Sequence, residues 1–137
     1  WGVFSWQVHQ NIPKSDAEVD QVVRDALFAK TAGEKERHIG LLRKAFERDP
    51  LNPRLALNFA LLEIDKKDMV SAIRILEGLN QVSLPESHKI EVQTSLAMAM
   101  ILAGQFDRAQ TLLSDALELD VDHFTANLNM AALHYLQ

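Results

Sequence analysis

Cysteine is absent from the 137 residues of this chain. A disulfide, a thiolate metal site and a nucleophilic cysteine are therefore excluded, while the redox state of the compartment stays open. Glycine is also scarce, with five residues, and neither GxGxxG nor GxxxxGK occurs. The sequence thus lacks the glycine-rich loops that hold phosphate groups in nucleotide-binding proteins.

Positive charge and long apolar runs are lacking as well. The chain has 14 basic and 19 acidic residues and a net charge of −5. This balance argues against nucleic acid as a ligand, because phosphate backbones are bound by basic surfaces. No run of 18 apolar residues exists, so we expect no membrane span within the chain. Localisation stays open between cytoplasm and periplasm, with or without an upstream membrane anchor.

Motifs of catalysis and of metal binding are missing too. The five histidines form no HExxH motif, and no serine lies in a GxSxG elbow. Helix starts and solvated faces account for the many carboxylates. We therefore expect that the protein is not an enzyme and binds no metal and no cofactor. His38 is the one histidine at a predicted packing position, where a partly buried, hydrogen-bonded histidine is expected.

Helical periodicity is present, and it repeats along the chain. From residue 106 to residue 119, apolar residues fall on one broad helical face. The same pattern occurs 37 residues earlier and, in weaker form, another 34 residues earlier. A period near 34 residues indicates stacked helical hairpins. The equivalent positions are His38, Leu42 and Ala45; Ala72, Leu76 and Leu79; and Ala109, Leu113 and Ala116.

The preceding helices repeat with the same period. Ala60, Ala97 and Ala131 lie 37 and 34 residues apart. Gly33 and Gly104 stand in turns, where a residue in the left-handed conformation ends the helix before it. Small residues at fixed places allow neighbouring helices to approach each other closely.

This pattern resembles the tetratricopeptide repeat (TPR) family over roughly residues 19–137. The chain departs from the family in three respects: no tryptophan opens a repeat, alanine replaces the helix-packing glycine, and Lys67 stands where the turn glycine is expected. The resemblance implies an all-α fold, a right-handed superhelical stack of three antiparallel helix hairpins plus a seventh helix. The matching residues are Pro50, Leu96, Ala97, Met100, Gly104, Phe106, Ala109, Leu113 and Ala116.

Start and stop signals divide this region into seven predicted helices. Ser15 and Glu18 form a capping box before the first helix. Asp68 is expected to cap the fourth helix, and the stretch 83–86 can cap the fifth. The expected bounds are about 16–31, 34–48, 53–65, 69–79, 86–103, 106–119 and 124–136.

The first 14 residues differ from the rest, because five of the first eight are large and apolar. Three interpretations stay open: a segment that packs on the first hairpin, the interfacial end of an upstream membrane anchor, or a tail that docks on another molecule. We assign 1–14 as an apolar lead-in segment and 15–137 as the repeat domain, and expect a fragment of a longer protein. Candidate self-association residues are Trp1, Phe4 and Trp6.

The resemblance also implies a binding surface. In TPR arrays the first helix of each hairpin lines a concave groove, where peptides or helices usually bind. Packing between helices is the alternative interpretation for each residue that aligns with this groove. As a set, however, these residues outnumber what one helix face needs for packing. The predicted groove residues are Leu57, Leu61, Ile64, Met98, Ile101, Leu102, Leu128 and Tyr135.

The apolar character of this predicted groove favours one kind of partner. TPR modules that clamp the terminal carboxylate of chaperones need lysine, asparagine and arginine there, whereas only Asn58 and Asn129 offer amides nearby. We therefore expect a scaffold that binds a partner helix or an apolar peptide segment. The alternative is a self-associating assembly module of a bacterial-type envelope, pilus or secretion system, joined through the lead-in segment or residues 124–137.

Overall fold

The computed structural model describes residues 16–137, with only the backbone of Asp16. The lead-in segment and the cap predicted at Ser15 lie outside the described residues. Within them the chain forms seven helices and no strand, and every bound agrees with the prediction to within one residue. The helices are α1 (Asp16–Thr31), α2 (Lys35–Arg48), α3 (Pro53–Asp65), α4 (Met69–Asn80), α5 (Glu86–Leu102), α6 (Phe106–Leu119) and α7 (Phe124–Leu136).

The chain divides into two compact units, one ending at Phe59 and one comprising Ala60–Gln137. In the first unit α1 packs against α2, and Val19, Ala45 and Leu55 form a buried core. The rings of Phe46 and Phe59 stack with centroids 4.9 Å apart. Aliphatic burial and one aromatic stack therefore hold this unit together.

His38 joins the two helices of the first hairpin. Its Nδ1 lies 2.7 Å from the carbonyl oxygen of Ala26 in α1, and the residue is half-buried. A carbonyl oxygen only accepts hydrogen bonds, so Nδ1 carries the proton and donates it. The prediction of a partly buried, hydrogen-bonded histidine is confirmed.

In the second unit α5 contacts three helices, namely α4, α6 and α7. Nine of its residues are buried, among them Leu96, Ala97 and Met100. Ala72 of α4, Ala109 of α6 and Ala97 are completely inaccessible to solvent. Because an alanine side chain is one methyl group, the backbones of these helices can come close together at such positions.

The predicted repeat register agrees with burial in the second helix of each hairpin. Leu42 and Ala45 of α2 are buried, as are the equivalent residues of α4 and α6. The alanines of the first helices divide differently. Ala60 and Ala97 are completely buried, whereas Ala131 is exposed, since no helix of residues 16–137 covers that side of α7.

The three hairpin turns share one backbone conformation. Gly33, Lys67 and Gly104 have φ values of +80°, +64° and +80°. In the last of these turns Gly104 N–H donates to Ile101 O at 3.0 Å, and Gln105 N–H donates to Met100 O at 2.8 Å. The same pair of bonds closes the other two turns. This is the Schellman arrangement, in which a left-handed residue satisfies the last carbonyl groups of a helix.

Two predicted caps have different outcomes. Asp68 caps α4 as predicted, because its carboxylate accepts bonds from the hydroxyl of Ser71 at 2.7 Å and from Ser71 N–H at 3.1 Å. These bonds, the hydroxyl first, lower the pKa of Asp68 below its ordinary value of 3.8. The cap predicted within residues 83–86 is wrong. The residue before α5 is Pro85, which has no side-chain acceptor, and the hydroxyl of Ser83 is two residues too early.

Small residues at the helix crossings give the first prediction. We expect Ala97→Leu and Ala109→Leu each to lower the free energy of unfolding by about 1–3 kcal/mol, because added methylenes in a filled core force side chains and backbone apart. Ala17→Leu is the matched control, since Ala17 is exposed in α1 and should tolerate the change. Urea denaturation measures all three. Unchanged stability in both core variants would contradict the repeat register.

The second prediction concerns the turn between α3 and α4. Lys67 has the left-handed conformation, which costs a residue with a Cβ atom roughly 1–2 kcal/mol. We expect Lys67→Gly to stabilise the protein by about 1 kcal/mol. This gain is smaller than the strain removed, because glycine also raises the conformational entropy of the unfolded chain.

The reciprocal change Gly104→Lys should destabilise by a similar amount, although no atom would obstruct a Cβ at Gly104. Urea denaturation of both variants would measure this. Equal stabilities for Lys67→Gly and the parent chain would show that the turn carries no strain.

Candidate binding surface

The predicted groove residues lie on α3, α5 and α7, which are the first helices of their repeats. The structure exposes these residues to different degrees. Leu61, Leu102, Leu128 and Tyr135 are exposed, with Tyr135 89% accessible. Leu57, Ile64 and Met98 are half-buried. Ile101 is buried, with 8% of its surface accessible. Leu57 belongs to the first unit and the other seven residues belong to the second.

Helix α5 leaves only a narrow strip uncovered, because helices pack on it from three sides. The uncovered strip contains Ser95, Met98 and Leu102, which recur at helical spacing and so share one face. Leu102 is 58% accessible and Ile101, one residue earlier, is 8% accessible. Ile101 therefore packs inside the unit, while Met98 is half-buried and Leu102 is exposed.

Helix α3 contributes Leu61 and Ile64 to the second unit. Leu61 has 37% of its surface accessible, and Ile64 is half-buried three residues further on. Between them lies Glu63, a residue that sequence analysis did not single out. It is 6% accessible, and its carboxylate lies 3.4 Å from the ammonium group of Lys66. Because Glu63 stands two residues after Leu61, the two residues lie on opposite sides of the helix.

The amides predicted nearest to the groove are already bonded within the chain. The Asn58 amide donates to Arg54 O at 2.7 Å. The Asn129 amide donates to Thr94 O at 3.2 Å and so joins α7 to α5. The Asn58 bond lies within α3, whereas the Asn129 bond joins two helices. In each amide at least one of the two N–H donors is therefore engaged within the chain.

Helix α7 exposes an apolar residue that sequence analysis left out of the site. Phe124 is 77% accessible and Leu128 is 55% accessible. Phe124 stands four residues before Leu128 and eleven before Tyr135, so all three occupy one helix face. This spacing is visible in the sequence and could have placed Phe124 in the predicted set.

Two hollows lie in the second unit outside the predicted surface. One, of about 420 Å³, has Leu96 and Met100 among its lining residues, together with the ion pair between Arg108 and Glu77. The other, of about 390 Å³, is lined by Glu86, Ser87, Ile90, Glu91, Leu119, Asp120 and His123. Nowhere in residues 16–137 do three histidine or acidic side chains converge as a metal site would require.

Two buried polar residues also escaped sequence analysis. Gln93 and Thr94 in α5 are 5% and 3% accessible. Among residues 16–137 the amide oxygen of Gln93 finds no hydrogen-bond partner, whereas the Thr94 hydroxyl donates to Glu91 O at 3.1 Å. Both lie among the buried residues of α5 and away from the exposed leucines, so they contribute to packing.

Comparison with known proteins identifies the fold. No family model matches the sequence, and no curated protein matches it either. Solved structures do match. The first TPR of Spaghetti (RPAP3), bound to the HSP90 peptide SRMEEVD, has a TM-score of 0.71 at 16% identity and covers 92% of this chain and 96% of that chain. The Arabidopsis OM64 TPR domain has a TM-score of 0.70 at 12% identity, covering 86% and 95%.

A bacterial structure is similar to the same extent. Pseudomonas aeruginosa PilF has a TM-score of 0.72 at 22% identity, and the match covers 85% of this chain and 52% of that chain. These likenesses show that the chain has the all-α, helical repeat fold of TPR domains, which confirms the resemblance drawn from the sequence. None of the helices in residues 16–137 has the length and apolarity needed to cross a membrane.

Proposed function

We propose that this protein is a non-catalytic interaction scaffold that binds an apolar helix or peptide of a protein partner. The observation that supports this proposal is the exposure of large apolar side chains on α3, α5 and α7, namely Leu61, Leu102, Leu128 and Tyr135. Contiguous apolar patches on a protein surface mark interaction sites, and our proposal is that these side chains belong to one such patch.

A TPR fold similar to this one binds a peptide. The Spaghetti structure holds the HSP90 peptide SRMEEVD, whose three acidic residues outnumber its one arginine. The present chain carries a net charge of −5 and would repel such a ligand. We therefore infer a partner segment that is apolar rather than acidic.

The form of the exposed surface suits an amphipathic helix. Met98 and Leu102 are one helical turn apart, and methionine adapts its flexible thioether to differently shaped partners. Leu61 and Ile64 offer a second pair on α3. A partner helix that presents apolar residues three or four positions apart would fit such pairs of residues.

Self-association is the second candidate function, with assembly in a bacterial-type envelope as its proposed setting. One observation favours it: Phe124 and Tyr135 in α7 are 77% and 89% accessible. Aromatic side chains exposed to this degree bring large apolar area to an interface at little entropic cost.

The third prediction tests the scaffold with peptides selected from a random phage-displayed library on the immobilised chain. We expect selected peptides to carry apolar residues at helical spacing. Leu61→Lys should weaken their binding by roughly 2 kcal/mol or more, about thirtyfold, as for a central anchor. Its circular dichroism and melting temperature should stay close to those of the parent chain, because Leu61 is partly solvated. Isothermal titration calorimetry measures the binding.

Val70→Lys is the matched control, since Val70 is 71% accessible on α4, a second helix of the pattern. It should bind the peptides as the parent chain does, and SRMEEVD should bind to neither. If Leu61→Lys loses its helical signal, Leu61 is a packing residue. If it folds and binds unchanged, the groove proposal fails.

A further inference from the structure

Helix α7 has two apolar faces on opposite sides. Ala126 and Leu133 are completely buried against the rest of the second unit. The face half a turn away carries Phe124, Leu128, Ala131 and Tyr135, all exposed, and these four residues are called the α7 stripe. A helix at a protein surface ordinarily has a polar outer face. The outer face of α7 therefore has the composition of a contact surface.

Formal charge is absent from α7. Its 13 residues include no aspartate, glutamate, lysine or arginine, and His134 is the one titratable group besides Tyr135. The other six helices each carry both acidic and basic residues. A charged partner would find no complementary group on this helix. A second copy of α7 would bring no like charge against it.

The spacing within the α7 stripe is that of a coiled-coil seam. Its residues follow one another at intervals of four, three and four, as the core positions a and d do in a heptad repeat. Read backwards, the order of intervals is the same. The stripe therefore matches its own copy when two helices run antiparallel.

We propose that the α7 stripe docks on the α7 stripe of a second copy of this chain, with the two helices antiparallel. In that register Phe124 faces Tyr135 of the second copy at both ends. Leu128 faces Ala131 of the second copy at both inner layers. Each layer thus pairs two aromatic rings or a large residue with a small one.

A parallel arrangement fills space less evenly. It would place alanine against alanine and leucine against leucine in adjacent layers, which leaves a void beside a crowded layer. Facing positions that alternate large and small residues interdigitate better. Aromatic pairs at both ends add attraction beyond the area they bury. The side-chain volumes at facing positions therefore favour the antiparallel register.

The size of the α7 stripe sets the strength of the contact. Two largely exposed aromatic side chains offer roughly 300 Å² per copy. With the leucine and alanine, two copies bury on the order of 1,000 Å², the lower end for a specific interface. We expect a reversible dimer with a Kd on the order of 10–100 µM. Salt should strengthen it, because each copy has a net charge of −5 and screening reduces their repulsion.

Sedimentation equilibrium of the whole chain tests the proposal over about 5 to 500 µM, which brackets the expected Kd. The parent chain should form a dimer, and Phe124→Ser should raise the Kd at least tenfold. Phe28→Ser is the matched control, since Phe28 is 67% accessible on α1, and should leave the Kd unchanged. A parent chain that stays monomeric, or equal effects of the two serine variants, would overturn the proposal.

Two further variants assign the contact to the right segment. Deletion of residues 1–14 should leave the dimer intact; its loss would transfer self-association to the lead-in segment and overturn the α7 proposal. Leu61→Lys should also dimerise normally, since Leu61 lies outside the α7 stripe. Leu128 and Tyr135 belong to both surfaces, so the groove is tested at Leu61: lost peptide binding with an intact dimer in Leu61→Lys separates the two contacts.

Disulfide trapping tests the register. The chain has no cysteine, so each variant carries a single thiol. Under mild oxidation a mixture of Phe124→Cys and Tyr135→Cys should form a cross-linked dimer that contains one copy of each. Either variant alone should not form one. In an antiparallel pair, the two identical thiols of a single variant lie eleven residues apart along the helices, roughly 16 Å. Cross-linking of each variant with itself would show a parallel pair and overturn the antiparallel register.

Discussion

Close approach of α4, α6 and α7 to a single helix is the constraint on which the second unit depends. α5 meets all three and has nine buried residues. Large side chains on every face would hold the neighbouring helices apart. Ala97 and Ala99 of α5 are completely buried, as are Ala72 of α4 and Ala109 of α6. Large residues such as Leu96 and Met100 then fill the space beside these crossings, which is how a core reaches close packing.

The helices could be predicted from the sequence almost to the residue, because their signals are local. Gly33, Pro53 and Asp68 act on the backbone next to them, and the apolar spacing within each helix needs no knowledge of its neighbours. The cap assigned to residues 83–86 failed because the helix begins after Pro85, which leaves the hydroxyl of Ser83 two residues before the N-cap position. Lys67 was correctly placed in a turn, since the repeat period determined its position although lysine itself disfavours a left-handed backbone.

Burial of single residues on α5 and α7 was harder to predict, because it depends on which neighbours are present. Ile101 and Leu102 are adjacent and equally apolar, yet they are 8% and 58% accessible. Ala97 and Ala131 occupy equivalent repeat positions, yet within residues 16–137 the first is buried and the second is exposed. Binding surfaces and packing surfaces in this fold use the same residue types, so composition cannot separate them. Side-chain accessibility in the folded chain is what distinguishes Phe124 and Leu102 from Leu133 and Ile101.

Site-resolved amide hydrogen exchange tests most directly the central role of α5. At about 5 µM protein, below the expected Kd for self-association, amides of residues 96–101 should exchange slowest in the second unit. Exchange there requires opening of contacts with three helices at once, whereas the outer turns of α7 can open with the loss of one or two. Slow exchange across α5 with faster exchange at both ends of α7 is the predicted result. Equal or faster exchange in α5 would contradict its place at the centre of the packing.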